Sequence, residues 1–351
     1  MSTLAPLATV RTMPVDAQNT PDDTFHDLPP YTPSRPSTSL FVTLRERPAP
    51  VAGPEQRADP PYVRRAHRLR YHVQTWGEPA LVTPERPALI LLHGWMDVGA
   101  SFQFMVDALT QPRYILALDW RGFGLTEAPP ADSYWFPDYL ADLDALLDTL
   151  LPGQAIDLVG HSMGGNVAML YAGIRPARIR RLVNLEGFGM PPTRAAMAPT
   201  RYERWLDALK SPPQLRSYPT LEAVARRLRL NNPRLQPAHA LWLAGHWSRA
   251  DDSGQYHLLA DAAHKRINPV LARQDEAVAC WRRISAPVLW AEGAQTRLFD
   301  LWAEAYPRDD FETRLAEVQR LRRVLIDDCG HMLHHDQPDA LAAHIEAFLM
   351  P

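Results

Sequence analysis

Six short, mostly apolar runs punctuate this chain: Ala88–Leu92, Tyr114–Leu118, Ile156–Val159, Leu182–Leu185, Val288–Trp290 and Val324–Ile326. Runs of this kind suit strands buried on both faces, which is how parallel sheets read. Helical patterns lie between them. In Tyr139–Leu150, Leu140, Leu143, Leu147 and Leu150 share one face, with Asp138 as the expected N-cap and Gly153 just beyond. Residues 164–174 and 338–349 also read as helices. Leu69, Tyr71, Val73 and Thr75 alternate with polar residues, as a half-buried strand does. Strand and helix alternate, so the expected class is α/β, a mostly parallel central sheet flanked by helices.

At 351 residues, the chain suffices for one large α/β domain. The strand–helix rhythm runs through residues 61–187 and resumes over 284–351. Residues 188–283 interrupt it with helical stretches, no clear strand, and Trp205, Trp242, Trp247 and Trp281. Such an interval far exceeds a normal connection, so an inserted helical cap is expected there. Residues 1–60 hold 11 of the 34 prolines and few large apolar residues. They read as a disordered or surface-hugging tail, in which Ser39–Leu44 could add a short strand or dock as an arm.

The nucleophile candidate is Ser162, within Gly160-His161-Ser162-Met163-Gly164-Gly165. This segment follows the apolar run Ile156–Val159 and precedes a helical pattern. G-x-S-x-G in a strand–turn–helix context is a nucleophile elbow. Side chains at 160 and 164 would collide with neighbouring backbone. The turn lifts the serine hydroxyl out of the sheet and sets the next N–H at a helix N-terminus.

Three further blocks complete a resemblance. Leu91-Leu92-His93-Gly94-Trp95 resembles the His-Gly loop, and Leu118–Gly124 (LDWRGFG) the D-x-R-G-x-G loop, of the α/β-hydrolase superfamily. Gly330-His331 and the following Met332–Pro338 resemble its terminal Gly-His block. In order and at ordinary spacing, the four blocks identify the chain as a member of the capped kind, over residues 62–350. The resemblance implies the α/β-hydrolase fold and serine-hydrolase chemistry.

A serine hydroxyl needs a base, and the base an orienting carboxylate. The order in this fold is Ser, then acid, then His, which makes His331 the base. The acid is open. Many relatives carry it in G-x-x-D after the seventh strand, where this chain has Gly293-Ala294-Gln295-Thr296. Glu186, at the end of the sixth strand, is favoured, as in several families of the superfamily. Glu292 is second and Asp300 third. By position, the backbone N–H groups of Trp95 and Met163 form the oxyanion hole. The Trp95 ring either walls the pocket or packs in the core. Trp135 and Phe136 are candidate pocket residues. Asp119 and Arg121 look structural, the arginine tying loops through a carboxylate such as Asp119.

The expected reaction is hydrolysis of a carboxylic ester of an apolar acyl or aromatic small molecule, without a cofactor. Lactone, amide or carbon–carbon bond hydrolysis and perhydrolysis would use the same triad. A non-hydrolytic receptor or lyase could share the fold. Serine at the elbow disfavours haloalkane dehalogenase and epoxide hydrolase chemistry, which attack through aspartate. His331, His334, His335 and Asp336 have metal-ligand spacing, but no further cluster is evident and Pro338 follows, so no metal is expected. Asp336 is expected to cap the next helix. A formal charge of -3 argues against nucleic acid as a partner. Cys280 and Cys329 make no disulfide framework. There is no membrane-span-length apolar run and no evident signal peptide, so the cytoplasm is the default location. Oligomeric state is not readable.

Overall fold

The computed structural model describes residues 25, 28–44, 69–302 and 305–350. The first elements are β1 (Thr38–Leu44), β2 (Leu69–Trp76), β3 (Leu89–Leu92), α1 (Gln103–Ala108) and β4 (Ile115–Leu118). Then come α2 (Phe136–Leu150), β5 (Ile156–His161), α3 (Met163–Ile174) and β6 (Ile179–Leu185). The long interval holds α4 (Ala198–Lys210), β7 (Ser217–Tyr218), α5 (Leu221–Asn231), α6 (Pro237–Trp247), β8 (Ser248–Ala250), β9 (Tyr256–Leu258) and α7 (Gln274–Trp281). The chain closes with β10 (Val288–Gly293), α8 (Leu298–Trp302), α9 (Arg308–Leu315), β11 (Leu321–Ile326), α10 (Leu333–Asp336) and α11 (Pro338–Leu349).

Eight strands form one sheet in the order β1-β2-β4-β3-β5-β6-β10-β11. All neighbours are parallel except β1–β2 and β2–β4. This is the α/β hydrolase arrangement, a mostly parallel sheet flanked by helices. The apolar runs explain it. Every residue of β3 and β4 is buried. Along β3, Ile90 and Leu92 face one core, shared with α2 and α3, and Leu89 and Leu91 face the other, shared with α1 and α11. Each such side chain contributes about 1.5–3 kcal/mol by leaving water.

Two strands depart from expectation. β2 is not half-buried, since only Arg70 along it is exposed. Its polar residues have partners: His72 meets Asp119 at 2.7 Å and Ser39 at 2.9 Å, and Gln74 Nε2 donates to Ser37. β11 is exposed on one side, with Leu325 62% accessible, because it is the sheet edge.

Part of the expected tail is built into the fold. Ser39–Leu44 lies within β1, which pairs with β2 along its whole length. Ahead of it, Ser34 N and Arg35 N donate to the Asp107 carboxylate, and the Tyr31 ring packs edge-on to Phe104, His239 and Trp242. Residues 1–24, 26, 27 and 45–68 lie outside the described residues.

The interval 188–283 is mainly helical, but it also contains the three-stranded sheet β7-β9-β8. Its strands are two or three residues long, too short to leave a periodic signal. Val224, Leu228 and Leu243 from α5 and α6 pack with Val98, Ala100 and Phe104, just after β3. A second root is His264, stacked between Phe123 and Tyr134 at centroid distances of 3.7 and 3.8 Å. Helix α2 starts earlier than expected. Asp138 is its third residue, and its carboxylate accepts from Trp135 N at 2.9 Å. Among the described residues, no helix is long and apolar enough to cross a membrane.

Candidate active site

The candidate residues collect at the C-terminal ends of neighbouring parallel strands. Ser162 follows β5, Glu186 follows β6, and His331 follows β11. The glycines of the elbow are there for space. A Cβ on Gly160 would lie 2.4 Å from Gly164 O, and one on Gly164 would lie 2.2 Å from Leu92 O. The tight turn forces Ser162 to φ 51° and ψ -114°. Ser162 N donates to Leu185 O at 2.8 Å, which locks the turn against β6. Met163 opens α3, so its N–H has no acceptor within the helix and stands at the positive end of the helix dipole.

The His-Gly loop lies against the elbow, since a Cβ on Gly94 would come within 3.3 Å of Ser162 Cβ. Trp95 follows. Its ring neither packs in the core nor is fully free: it is 52% exposed, and Nε1 donates to His264 O at 3.3 Å, tying the loop to the insertion.

Of the three carboxylates, the structure brings Glu186 to His331, with His331 Nδ1 2.6 Å from Glu186 Oε2. Glu292 faces elsewhere and is held by Arg308, whose Nη2 donates at 2.9 Å. Asp300 pairs with its neighbour Arg297 at 3.3 Å. Glu186 is 1% exposed and receives two more donors, Gly293 N on Oε1 and Thr296 Oγ1 on Oε2, each at 2.8 Å. Thr296 thus stands at the position of the G-x-x-D acid and hydrogen-bonds Glu186 at the end of the neighbouring strand β6. That role was not read from the sequence, although a threonine there together with a glutamate ending β6 was its visible signal.

Burial raises the Glu186 carboxyl to about 8, opposed by the Gly293 and Thr296 hydrogen bonds, which favour the ionised form. Burial also lowers the His331 imidazole to about 4, against the pull of Asp336 and Asp97. Once Glu186 is ionised, a neutral imidazole whose Nδ1–H donates to its carboxylate leaves the Nε2 lone pair available to accept a proton.

The other candidates have clear placements. Phe136 packs on the main core at the start of α2, and Trp135 lies edge-on to it at 5.1 Å. Arg121 does not pair with Asp119 but with Asp142 on α2, through Nε at 2.5 Å and Nη2 at 2.6 Å. Asp119 instead accepts from Gly99 N and Leu125 N. The run His331–Asp336 does not form one ligand face. His334 and His335 turn toward Ser101, at 3.2 and 2.6 Å. Asp336 caps no following helix but accepts from Gly330 N at 2.8 Å and Asn232 Nδ2 at 2.7 Å. A different group, Asp97, His161 and His334, has metal-ligand proximity. Its members are far apart in sequence, which is why spacing alone did not reveal them.

Comparison with known proteins agrees with this architecture. The sequence profile of the alpha/beta hydrolase fold matches residues 87–338. A serine hydrolase-like protein of Danio rerio is 27% identical over 290 residues, 79% of this chain and 84% of that protein. A cis-3-alkyl-4-alkyloxetan-2-one decarboxylase of Shewanella oneidensis is 26% identical over 301 residues, 82% of this chain and 86% of that protein. The thioesterase domain from the curacin biosynthetic pathway superposes with a TM-score of 0.68 at 24% identity, covering 79% of this chain and 95% of that domain. The chain belongs to the α/β hydrolase fold family.

Proposed function

We propose that this hydrolase cleaves carboxylic esters of apolar or aromatic small molecules through an acyl-enzyme on Ser162. The observation that carries the reading is the 2.6 Å contact between His331 Nδ1 and Glu186 Oε2, on the strand edge that also bears the strained Ser162. His331 Nε2 takes the hydroxyl proton while Ser162 Oγ attacks the carbonyl carbon. The oxyanion rests on the N–H groups of Met163 and Trp95. Glu186 holds the imidazole tautomer and stabilises the imidazolium. His331 returns the proton to the leaving alcohol, and water repeats the sequence on the acyl-enzyme. No metal or organic cofactor enters these steps. The insertion 188–283, rooted on the loop after β3, acts as the cap that shapes the substrate pocket.

A strained cyclic ester is the second substrate class, because a relative similar over most of both chains is named for an oxetan-2-one. Ring-opening by Ser162 would need no new group.

The test is hydrolysis of p-nitrophenyl esters of rising acyl length, with a fluorophosphonate label as a second readout. Wild type should turn over and label. Ser162→Ala should do neither, leaving at most the residual catalysis of oxyanion hole and binding, about 10³–10⁴ over water. Undiminished turnover by Ser162→Ala refutes the acyl-enzyme reading.

A further inference from the structure

Behind the nucleophile turn, three side chains from three separate segments converge. Asp97 follows β3, His161 ends β5, and His334 lies in α10. One ligand atom from each falls within 4.8 Å of the others. All three are buried, at 4%, 2% and 0% exposure. Three of their polar atoms, Asp97 Oδ2, His161 Nδ1 and His334 Nδ1, have no hydrogen-bond partner. Buried polar atoms are normally paired, and an orphan costs about 1–3 kcal/mol. Two of these orphans, Asp97 Oδ2 and His161 Nδ1, together with His334 Nε2 at 3.8 Å from the carboxylate oxygen, point to a ligand.

The chemistry of the donors narrows that ligand. His161 Nε2 faces the His331 carbonyl oxygen at 2.8 Å, so Nε2 carries the hydrogen and Nδ1 presents a lone pair. His334 Nε2 lies 3.2 Å from Ser101 Oγ and 3.8 Å from Asp97 Oδ2. Burial keeps both imidazoles neutral, the form that ligates. Two imidazole nitrogens and a carboxylate oxygen suit a divalent transition metal of the zinc kind, with a fourth position open. Metal–ligand bonds of about 2.0–2.2 Å bring tetrahedral ligand atoms to within about 3.5 Å of each other. The group therefore closes by about an ångström on binding, within the reach of side-chain rotation.

We propose that Asp97, His161 and His334 form a binding site for one zinc-class divalent ion, distinct from the Ser162, Glu186 and His331 group. Occupancy acts on the neighbouring site through one hydrogen bond. Drawing His161 toward the ion displaces the Nε2 that holds the His331 carbonyl, and the two rings lie only 4.7 Å apart. The metal is thus inhibitory. That second limb rests on the hydrolase mechanism above, whereas binding does not.

The test measures binding directly. Chelator-treated full chain is titrated with zinc against a chromogenic competitor, and cobalt(II) is added separately to read the ligand-field bands of a four-coordinate site. Wild type is expected to take one equivalent and to show those bands. Asp97→Asn and His334→Gln should each weaken binding at least about tenfold, on the scale of lost metal partners. His331→Ala should still bind. No stoichiometric binding by wild type overturns the site even if either variant misfolds. Unchanged affinity in both folded variants also overturns it, by placing the metal on surface histidines. Loss of binding in His331→Ala assigns the ion to the catalytic group and overturns the proposal. Ester turnover that persists at one bound equivalent removes the inhibitory limb alone.

Discussion

Thr296→Val tests the acid without touching it. The Thr296 hydroxyl donates to Glu186 Oε2 at 2.8 Å, on the same oxygen that meets His331 Nδ1. Valine keeps the shape and removes the donor. A hydrogen bond to a charged, buried group is worth about 1.5–3 kcal/mol. Each pKa unit is about 1.36 kcal/mol, so losing the donor raises the proton affinity of the Glu186–His331 pair by about one to two units. Gly293 N still donates to Oε1 at 2.8 Å, which favours the lower figure. The pair must lose its extra proton before His331 can act as base. The acid limb of kcat/KM therefore moves to higher pH by about one unit, while the plateau at high pH stays close to wild type. Stability follows with a definite sign. The folded pKa of Glu186 is raised to about 8 from 4.5, so its contribution is fully present below the unfolded value and is lost as pH rises through the folded one. Removing the donor extends that loss, so the variant is destabilised more at pH 9 than at pH 5. The assay is a pH profile on a p-nitrophenyl ester, with urea unfolding at both pH values. An acid limb that stays in place, or moves down, refutes the assignment of Glu186 as the acid.

Four further substitutions have expected outcomes. In Glu186→Gln, the amide oxygen faces the fixed Gly293 N–H, so the NH₂ faces His331 and forces the wrong tautomer; kcat should fall by about 10⁴, the scale of an equivalent change in a Ser-His-Asp triad. Glu292→Gln, by contrast, should keep kcat within about tenfold and lose stability through Arg308; equal loss of activity in both variants would count against the choice. Asp157 is fully buried, accepting from Arg113 Nη2 and, at 2.9 Å, from Arg180 Nε. Asp157→Ala strands those cations and should cost about 3–5 kcal/mol in urea unfolding, and a loss under 1 kcal/mol contradicts the network. Gly164→Ala places a Cβ against Leu92 O and should abolish both stable folding and serine labelling; a well-folded, labelled variant would show that the elbow tolerates more room than its geometry allows.

Much of the fold was legible because a parallel sheet announces itself through apolar runs, and each of the six lies on a strand. β11 was misjudged because composition reports what a strand could bury, not whether a neighbour exists to bury it. β2 was misjudged for the converse reason: His72 and Gln74 look solvent-facing until partners from β1 and Asp119 satisfy them. Ser162 was legible as a candidate because steric demand writes glycine on both sides of it, and His331 because Gly330-His331 resembles a family block rather than through any crowding at Gly330. The choice between Glu186 and Glu292 was not, because it depends on which way two adjacent strand ends point their side chains. The group Asp97, His161 and His334 was invisible to spacing for the same reason, as only the sheet brings its three segments together.

The backbone adds an independent argument about place. Four described non-glycine residues have a left-handed φ: Met96 at 56°, Ser162 at 51°, Glu186 at 53° and Asp328 at 47°. Each follows the end of a parallel strand, β3, β5, β6 or β11, and each lies within three residues of a group in the proposed mechanism. Such conformations cost about 1–3 kcal/mol apiece and persist only where the surroundings over-determine them. The two cores provide that rigidity directly beneath, since β3, β5, β6 and β10 are buried along nearly their whole length. Strain scattered at random would fall on loops at both ends of the sheet. Strain confined to one end, on neighbouring strands, is what a sheet does when it must hold the turns that carry Ser162, Glu186 and His331 at fixed distances.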